Sequence, residues 1–319
     1  MKSDWRVVKT LFFTKERAYS KGYAHLGFHG PAGEQYVLAH WAGWVGELDK
    51  DGALLWSAGA ATVPGGRVHI DANLAYPMYV SRSPEGAIYV SCYSDKSIYR
   101  LFPREGRIER FIDGTTLGFA DIGNCLVDDE GYLWVNEVEG RRVWRIDPSG
   151  AQVRCIGSGR EAQGQILPLS SSFEEVSFGW IADIRLGPDG SIYILDSGEL
   201  ALWKAVPATG KVERIAGTGR GGYSGDGGPA LEASFGHDPS ERFGAPISLA
   251  VDEGGNAYIG DKVNGRVRMV EASTGHISTI AEGLSGLCSM DYYRDRLFLP
   301  EESGRLLILE LEKVFLEKP

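Results

Sequence analysis

A chain of 319 residues, 43% hydrophobic and 24% charged, has the composition of a folded protein with a large core and leaves no room for long disordered tracts. Lysine and arginine number 33 against 43 aspartate and glutamate, a formal net charge of −10, which argues against nucleic acid and anionic membrane surfaces as partners and favours a small molecule or a protein. Nowhere do 18 apolar residues run together, so no membrane-spanning helix is expected and the protein should be soluble.

In chain order, the N-terminal stretch MKSDWRVVKTLFFTKERAYSK carries Lys9, Lys15 and Glu16 within its apolar run and no small-residue cleavage site, so it does not read as a secretory signal. Trp5 to Phe13 has strand composition but no unit of its own. A loose first unit follows, with Gly33 in a turn and Tyr36 three residues on. Four regular units come next: YPMYVSRSPEGAIYV from Tyr76, DIGNCLVDDEGYLWV from Asp121, ADIRLGPDGSIYIL from Ala182 and APISLAVDEGGNAYIG from Ala245. Each puts an aromatic three residues after a turn glycine: Tyr89 after Gly86, Trp134 after Gly131, Tyr193 after Gly190 and Tyr258 after Gly255. A sixth unit, LSGLCSMDYYRDRLFLP, has Asp295 in the turn and Phe298 as the aromatic, and it stops after its third strand near Leu311.

The Asp-Gly, Glu-Gly and Gly-Asn turns predict tight hairpins, followed by a third strand (KSIYRLF, RRVWRID, LALWKAV, GRVRMVE) and a fourth (GRIERFI, AQVRCIG, GKVERIAG, GHISTIAEG). Four short antiparallel strands, repeated about every 40 to 65 residues without amphipathic helices, predict an all-β, six-bladed β-propeller in a single domain over 1–319. The N-terminal strand is expected to complete the last blade and close the ring, which removes an exposed edge.

The segment AGTGRGGYSGDGGPALEASF, Ala216 to Phe235, together with the unit after it, closely resembles the NHL repeat of bacterial and teneurin-type propellers, and most of the chain resembles it more loosely. The resemblance implies a six-bladed propeller with a central channel. It does not imply one activity, because NHL-type propellers and the similar SMP-30/gluconolactonase, lyase and strictosidine-synthase-like propellers include enzymes, scaffolds and RNA binders.

In such a ring the start of each first strand and the end of each second strand lie on one face, where the site is expected. Seven residues before each turn comes an inner ring of Leu26, Tyr79, Asn124, Asp183, Ser248 and Cys288, with His25 and Asp121 alongside. Three residues after each aromatic comes an outer ring of Ala39, Cys92, Glu137, Asp196, Asp261 and Glu301, with His40 and Tyr93 alongside. Carboxylate and amide oxygens gathered about one axis suit a hard cation, Ca²⁺ or Mg²⁺, with Asp121, Asn124 and Asp183 as candidate ligands. In the similar SMP-30 propellers a metal is held near the axis by Glu, Asn and Asp; DIGNCLVDDEGYLW and ADIRLGPDGSIY occupy corresponding places, here without a first-blade Glu. The alternative is that Asn124 and Asp183 cap turns or bond backbone at the channel mouth, and that Asp196 and Asp261 organise the turn into the third strand.

His25 and His40 are the candidate proton-transfer groups beside Asp183, against the alternative of ordinary packed or surface histidines. Tyr79, Tyr93, Asn124, Trp180, Tyr223, His237 and Ser248 are the candidate substrate contacts. Three long connections, 57–75, 157–181 and 217–244, are long enough either to form a lid over that face or to decorate the rim. GTGRGG from Gly217 fits the dinucleotide pattern GxGxxG, but no βαβ unit surrounds it and no long helix can follow, so no nucleotide cofactor is expected. Cys92, Cys125, Cys155 and Cys288 are far apart and lack CxxC spacing, which fits buried thiols in a reducing cytoplasm. The expectation is a cytoplasmic propeller whose channel mouth binds a small organic molecule and acts on it by metal-assisted or acid/base hydrolysis, elimination or isomerisation. The alternative is a protein-interaction scaffold using the same face.

Overall fold

Each unit's hairpin is set by its turn. In the computed structural model, which describes residues 5–12, 24–28, 35–39, 43–49, 53–60, 68–83, 85–162, 168–241, 243–287, 289–301 and 305–311, Gly86, Gly131, Gly190 and Gly255 have φ of 89°, 81°, 74° and 80°. That left-handed conformation is open to glycine without a Cβ clash. Asp295 takes the same place in the last unit with φ 61°, which a short polar side chain tolerates. Aspartates at the start of the turns add to this: Asp128 Oδ1 accepts the Glu130 and Tyr132 N–H groups, and Asp252 Oδ1 those of Gly254 and Asn256.

The strands form six sheets arranged as blades. Blade one holds Ala24–Phe28, Gln35–Ala39, Trp44–Leu48 and Leu54–Gly59. Blade two holds Pro77–Arg82, Ile88–Cys92, Ser97–Phe102 and Arg107–Asp113. Blade three holds Cys125–Val127, Leu133–Glu137, Arg142–Ile146 and Gln152–Ile156. Blade four holds Ile181–Leu186, Ile192–Asp196, Ala201–Val206 and Lys211–Ala216. Blade five holds Ser248–Val251, Ala257–Asp261, Arg266–Val270 and Ile277–Glu282. Blade six takes Asp291–Tyr293, Arg296–Pro300 and Arg305–Leu311 from the C-terminal end and Trp5–Phe12 from the N-terminal end. Trp5 pairs with Leu311 and Phe12 with Arg305 in antiparallel register, so the predicted closure of the ring is present.

A blade covers its faces with its neighbours. The aromatics after the turns carry much of this contact: Tyr89, Trp134, Tyr193, Tyr258 and Phe298 are all buried, worth about 1.5–3 kcal/mol for a side chain of phenylalanine size. Tyr193 also donates its hydroxyl to the Gly255 carbonyl, 3.0 Å away in the turn of blade five. Tyr258 stacks on Tyr292 of blade six with centroids 6.0 Å apart.

Described segments of the long connections pair along the rim, one of the two courses the sequence left open. Val68–Asp71 pairs in parallel with Leu54–Gly59, and Ser170–Ser172 pairs with Lys211–Ala216, so blades one and four gain a fifth strand. On blade five, Gly227 N–H donates to Ile277 O and Ile277 N–H to Gly228 O, at 2.8 and 3.0 Å. An outermost strand has unpaired backbone groups, and these segments satisfy them. GTGRGG belongs to this rim: Gly217 and Thr218 N–H groups donate to Ala230 O and Ala233 O, as Gly157 and Ser158 of the matching GSGR donate to Phe173 O and Val176 O. Arg268, fully buried, ties the connection down through Asp226 Oδ1 and the carbonyls of Ser224 and Ser234.

Candidate functional site

The first strands of the blades lie side by side around the axis, and polar side chains from blades two, three and four meet there with backbone groups of blade five and of the segment entering blade six. Side chains alternate along a strand: in Ile181–Leu186, Ile184 enters the core, while Asp183 and Arg185 lie on the other side. Asp183 Oδ1 accepts both the Asn124 amide N–H, from blade three, and the Arg185 Nη1–H. Asp183 Oδ2 accepts the Leu249 N–H of blade five at 2.8 Å. Arg185 also donates to its neighbour's carbonyl, Ile184 O, at 2.8 Å and across the ring to Met290 O, beside blade six, at 2.8 Å. The face of Tyr79, from blade two, lies 5.0 Å from the guanidinium carbon.

Positioning depends on Asn136, fully buried on the second strand of blade three. Its Oδ1 accepts the Asn124 N–H at 2.6 Å and its Nδ2 donates to Ile181 O at 2.9 Å, so one side chain sets both Asn124 and the start of the strand bearing Asp183.

Asp183, Arg185, Tyr79 and Asn124 are only 3%, 6%, 3% and 8% exposed. Burial pushes the Asp183 carboxyl up to about 7, with the Arg185 guanidinium and the Leu249 and Ile184 N–H groups acting against that rise. Burial likewise lifts the Tyr79 hydroxyl well above its usual range, partly offset by Arg185. The Arg185 guanidinium is held charged by Asp183, against the cost of burial.

The structure brings together Tyr79, Asn124 and Asp183. Ser248, at the start of the first strand of blade five, is fully buried one residue before Leu249, and its Oγ has no hydrogen-bond partner among the described residues. Trp180 immediately precedes the first strand of blade four and meets Phe243 edge-on, centroids 6.3 Å apart. Tyr93 follows the second strand of blade two and packs on Tyr76 at 6.1 Å. Tyr223 lies elsewhere: its hydroxyl donates to Asp226 and meets Thr279 of the outermost strand of blade five, so the rim placement of its connection removes it from the axis. His237 is exposed in the same connection. His25 lies on the first strand of blade one, paired with Leu38; His40 and Cys288 lie outside the described residues.

Arg185, Asn136 and Asp291 were not singled out from the sequence. Asp291, on the first strand of blade six, acts electrostatically on Asp183, Arg185 and Tyr79. A signal for Arg185 existed: it stands two residues from Asp183 in the otherwise apolar IADIRL, hence on the same side of the strand.

The outer-ring acids serve the backbone. Glu137, Asp196, Asp261 and Glu301 accept N–H groups of Ala120, Gly179, Gly236 and Ser285, in the connections leading to first strands, at 2.6, 3.0, 2.8 and 3.2 Å. Asp196 and Asp261 also bond the turn into the third strand, through Glu199 N–H and the Asn264 amide.

As they stand, the three candidate cation ligands form no cage. Asp121 spends its two oxygens on Val138 and Glu139 N–H groups at 2.6 and 2.8 Å, burial raising its carboxyl against those bonds. Asn124 turns its N–H, not its carbonyl, to Asp183. Among the described residues no three His, Cys, Asp or Glu side chains converge as a metal site. The residues present do not fit Ca²⁺ or Mg²⁺ at Asp183.

No family model matches the chain. A curated chloroplast protein of Arabidopsis thaliana, SUPPRESSOR OF QUENCHING 1, is 29% identical over 211 residues, 64% of this chain, and the chain spans about a fifth (19%) of that protein's length. Among solved structures, virginiamycin B lyase from Staphylococcus aureus is similar at a TM-score of 0.60 and 14% identity, covering 97% of this chain and 100% of its own. A gluconolactonase from Xanthomonas campestris is similar at 0.60 and 13%, covering 93% and 89%. A Bacteroides thetaiotaomicron protein of unknown function is similar at 0.64 and 14%, covering 97% and 76%. These likenesses show the six-bladed propeller fold shared with lyase and gluconolactonase structures. No helix among the described residues is long and apolar enough to cross a membrane.

Proposed function

We propose that this propeller is an enzyme that acts on a small organic molecule at the axial end where the first strands begin, by acid/base elimination, hydrolysis or isomerisation. The observation that carries the reading is the buried group in which Asp183 is set beside a guanidinium and an amide anchored in the ring, with burial raising its carboxyl to about 7. A carboxyl that titrates near neutral pH can take a proton and return it. Fixed N–H donors of Arg185 and Asn124 offset negative charge that develops on a bound molecule, because the blades have already oriented them. Tyr79, Trp180 and Phe243 supply the apolar wall. His25 and His40 are the proposed partners in proton transfer, and Tyr93, Ser248 and His237 remain proposed substrate contacts.

The neighbouring folds support an enzyme: one is a virginiamycin B lyase, also solved as a catalytically inactive variant with quinupristin, and another is a gluconolactonase. The repeat itself we read as NHL type, and the free thiols of Cys92, Cys125 and Cys155 favour a reducing, cytoplasmic setting.

The test is turnover of a panel of lactones, esters and cyclic depsipeptides by the purified protein. The expected result is turnover of at least one compound and a fall of roughly 100- to 10,000-fold in Asp183→Asn, with its unfolding midpoint recorded alongside. No turnover across the panel, or an Asp183→Asn protein at the parent rate, overturns the proposal.

A further inference from the structure

We infer that Arg185 is the resident axial cation of this propeller, a side chain occupying the place a divalent ion would need in order to neutralise Asp183. The inference rests on the axial-site reading for its location only.

A hard cation selects carboxylate and carbonyl oxygens. Such oxygens are present here, and they surround the guanidinium: Asp183 Oδ1, Ile184 O and Met290 O each accept one of its N–H groups. The ring face of Tyr79 lies against it at 5.0 Å and the charge of Asp291 acts on it. The oxygen set therefore spans blades four and six and is already saturated. The remaining oxygen of Asp183 is taken by Leu249 N–H, and the Asn124 group facing Asp183 is a donor. An ion entering here would have to displace a buried guanidinium from three acceptors and would meet its positive charge at close range. Arginine stays protonated at every physiological pH, so the axial charge is permanent and independent of metal supply.

The same geometry says what removal of Arg185 does. In Arg185→Ala, Ile184 O and Met290 O lose the guanidinium donor and Asp183 Oδ1 keeps only the Asn124 N–H, while Asp291 remains nearby, and the emptied volume is bordered by oxygens. That variant gains a divalent-cation site which the parent lacks.

The experiment is a titration of Ca²⁺, Mg²⁺ and luminescent Tb³⁺ into metal-stripped parent, Arg185→Ala and the double variant Arg185→Ala/Asp183→Asn, read by calorimetry, Tb³⁺ emission and thermal unfolding. The parent is expected to show no saturable response that depends on Asp183, and its midpoint should be the same in chelator and in Ca²⁺. Arg185→Ala is expected to unfold earlier in chelator, to recover with Ca²⁺, and to bind at least 100-fold more tightly than the parent; the double variant should lose that gain. Saturable binding by the parent that disappears in Asp183→Asn overturns the inference, as does an Arg185→Ala protein without gained affinity. Should Arg185→Ala not fold, the parent titration and Arg185→Lys decide: metal-independent stability in both supports the inference, and metal-dependent stability in either overturns it. None of these readouts uses turnover, so a propeller inactive on every substrate would leave the result standing.

Discussion

Asp196 sits fully buried, accepts the N–H groups of Gly179 and Glu199, and has its carboxyl pushed up to about 7 by burial against those bonds. Its folded-state value lies above the ordinary 3.8, so its contribution to stability is fully present below about pH 4 and is lost as pH rises through about 7. Asp183 behaves in the same direction. Urea unfolding of the parent and Asp196→Asn between pH 4 and 8 should show the parent losing ground as pH rises, with a slope of at most ~1.4 kcal/mol per pH unit in that window. A difference that is flat with pH would show that Asp196 is ionised throughout. The repeat position of Asp196 was legible, since it ends a second strand in the same register as Glu137, Asp261 and Glu301; its bond to Gly179, in the connection before the blade, was not, because that donor lies outside the periodic phrase.

The connection over 217–235 takes its place from one buried side chain. Arg268 is fully buried yet holds Asp226 at 2.8 Å and two carbonyls of the connection, with the Tyr223 ring 4.9 Å away. Arg268 Nη1 also lies 3.7 Å from the fully buried Asp261 carboxylate; removing one partner of that buried ion pair leaves the other uncompensated, so Arg268→Ala should cost about 3–5 kcal/mol. Hydrogen exchange should quicken first at Gly217, Thr218, Gly222 and Gly227, whose N–H groups are paired within the rim. Exchange unchanged there would place the anchor elsewhere. The glycines of this segment were plain in the sequence; their rim destination was not, because the same spacing of GTGRGG is compatible with several loop geometries until its carbonyl partners at Ala230, Ala233 and Phe235 are known.

At the scale of the whole ring, blade six is made from both ends of the chain, with Trp5–Phe12 pairing along Arg305–Leu311. Closure couples the most distant segments in sequence and covers an edge. Deletion of residues 1–12 should lower Tm by roughly 10 °C and cause self-association through the freed strand; a peptide spanning 1–13, added in excess, should reverse both. Calorimetry and sizing check this, and an unshifted Tm would show that closure contributes no stability.

The blade count, the four-strand period, the turn glycines, the buried aromatics and the closing strand were all written in the sequence, because a period of apolar residues and Gly turns is a local property that each unit repeats. Tyr79, Asn124 and Asp183 could be placed near one axis for the same reason. Tertiary structure alone decided that Asn124 and Met290 O join Asp183 and Arg185 in one hydrogen-bonded group, that Asp121 turns to its own blade, and that described segments of the long connections pair along the rim. Those outcomes depend on which donors and acceptors face each other across blades, and such partners, like Arg185 and Met290 O, stand far apart along the chain with nothing local to announce the pairing.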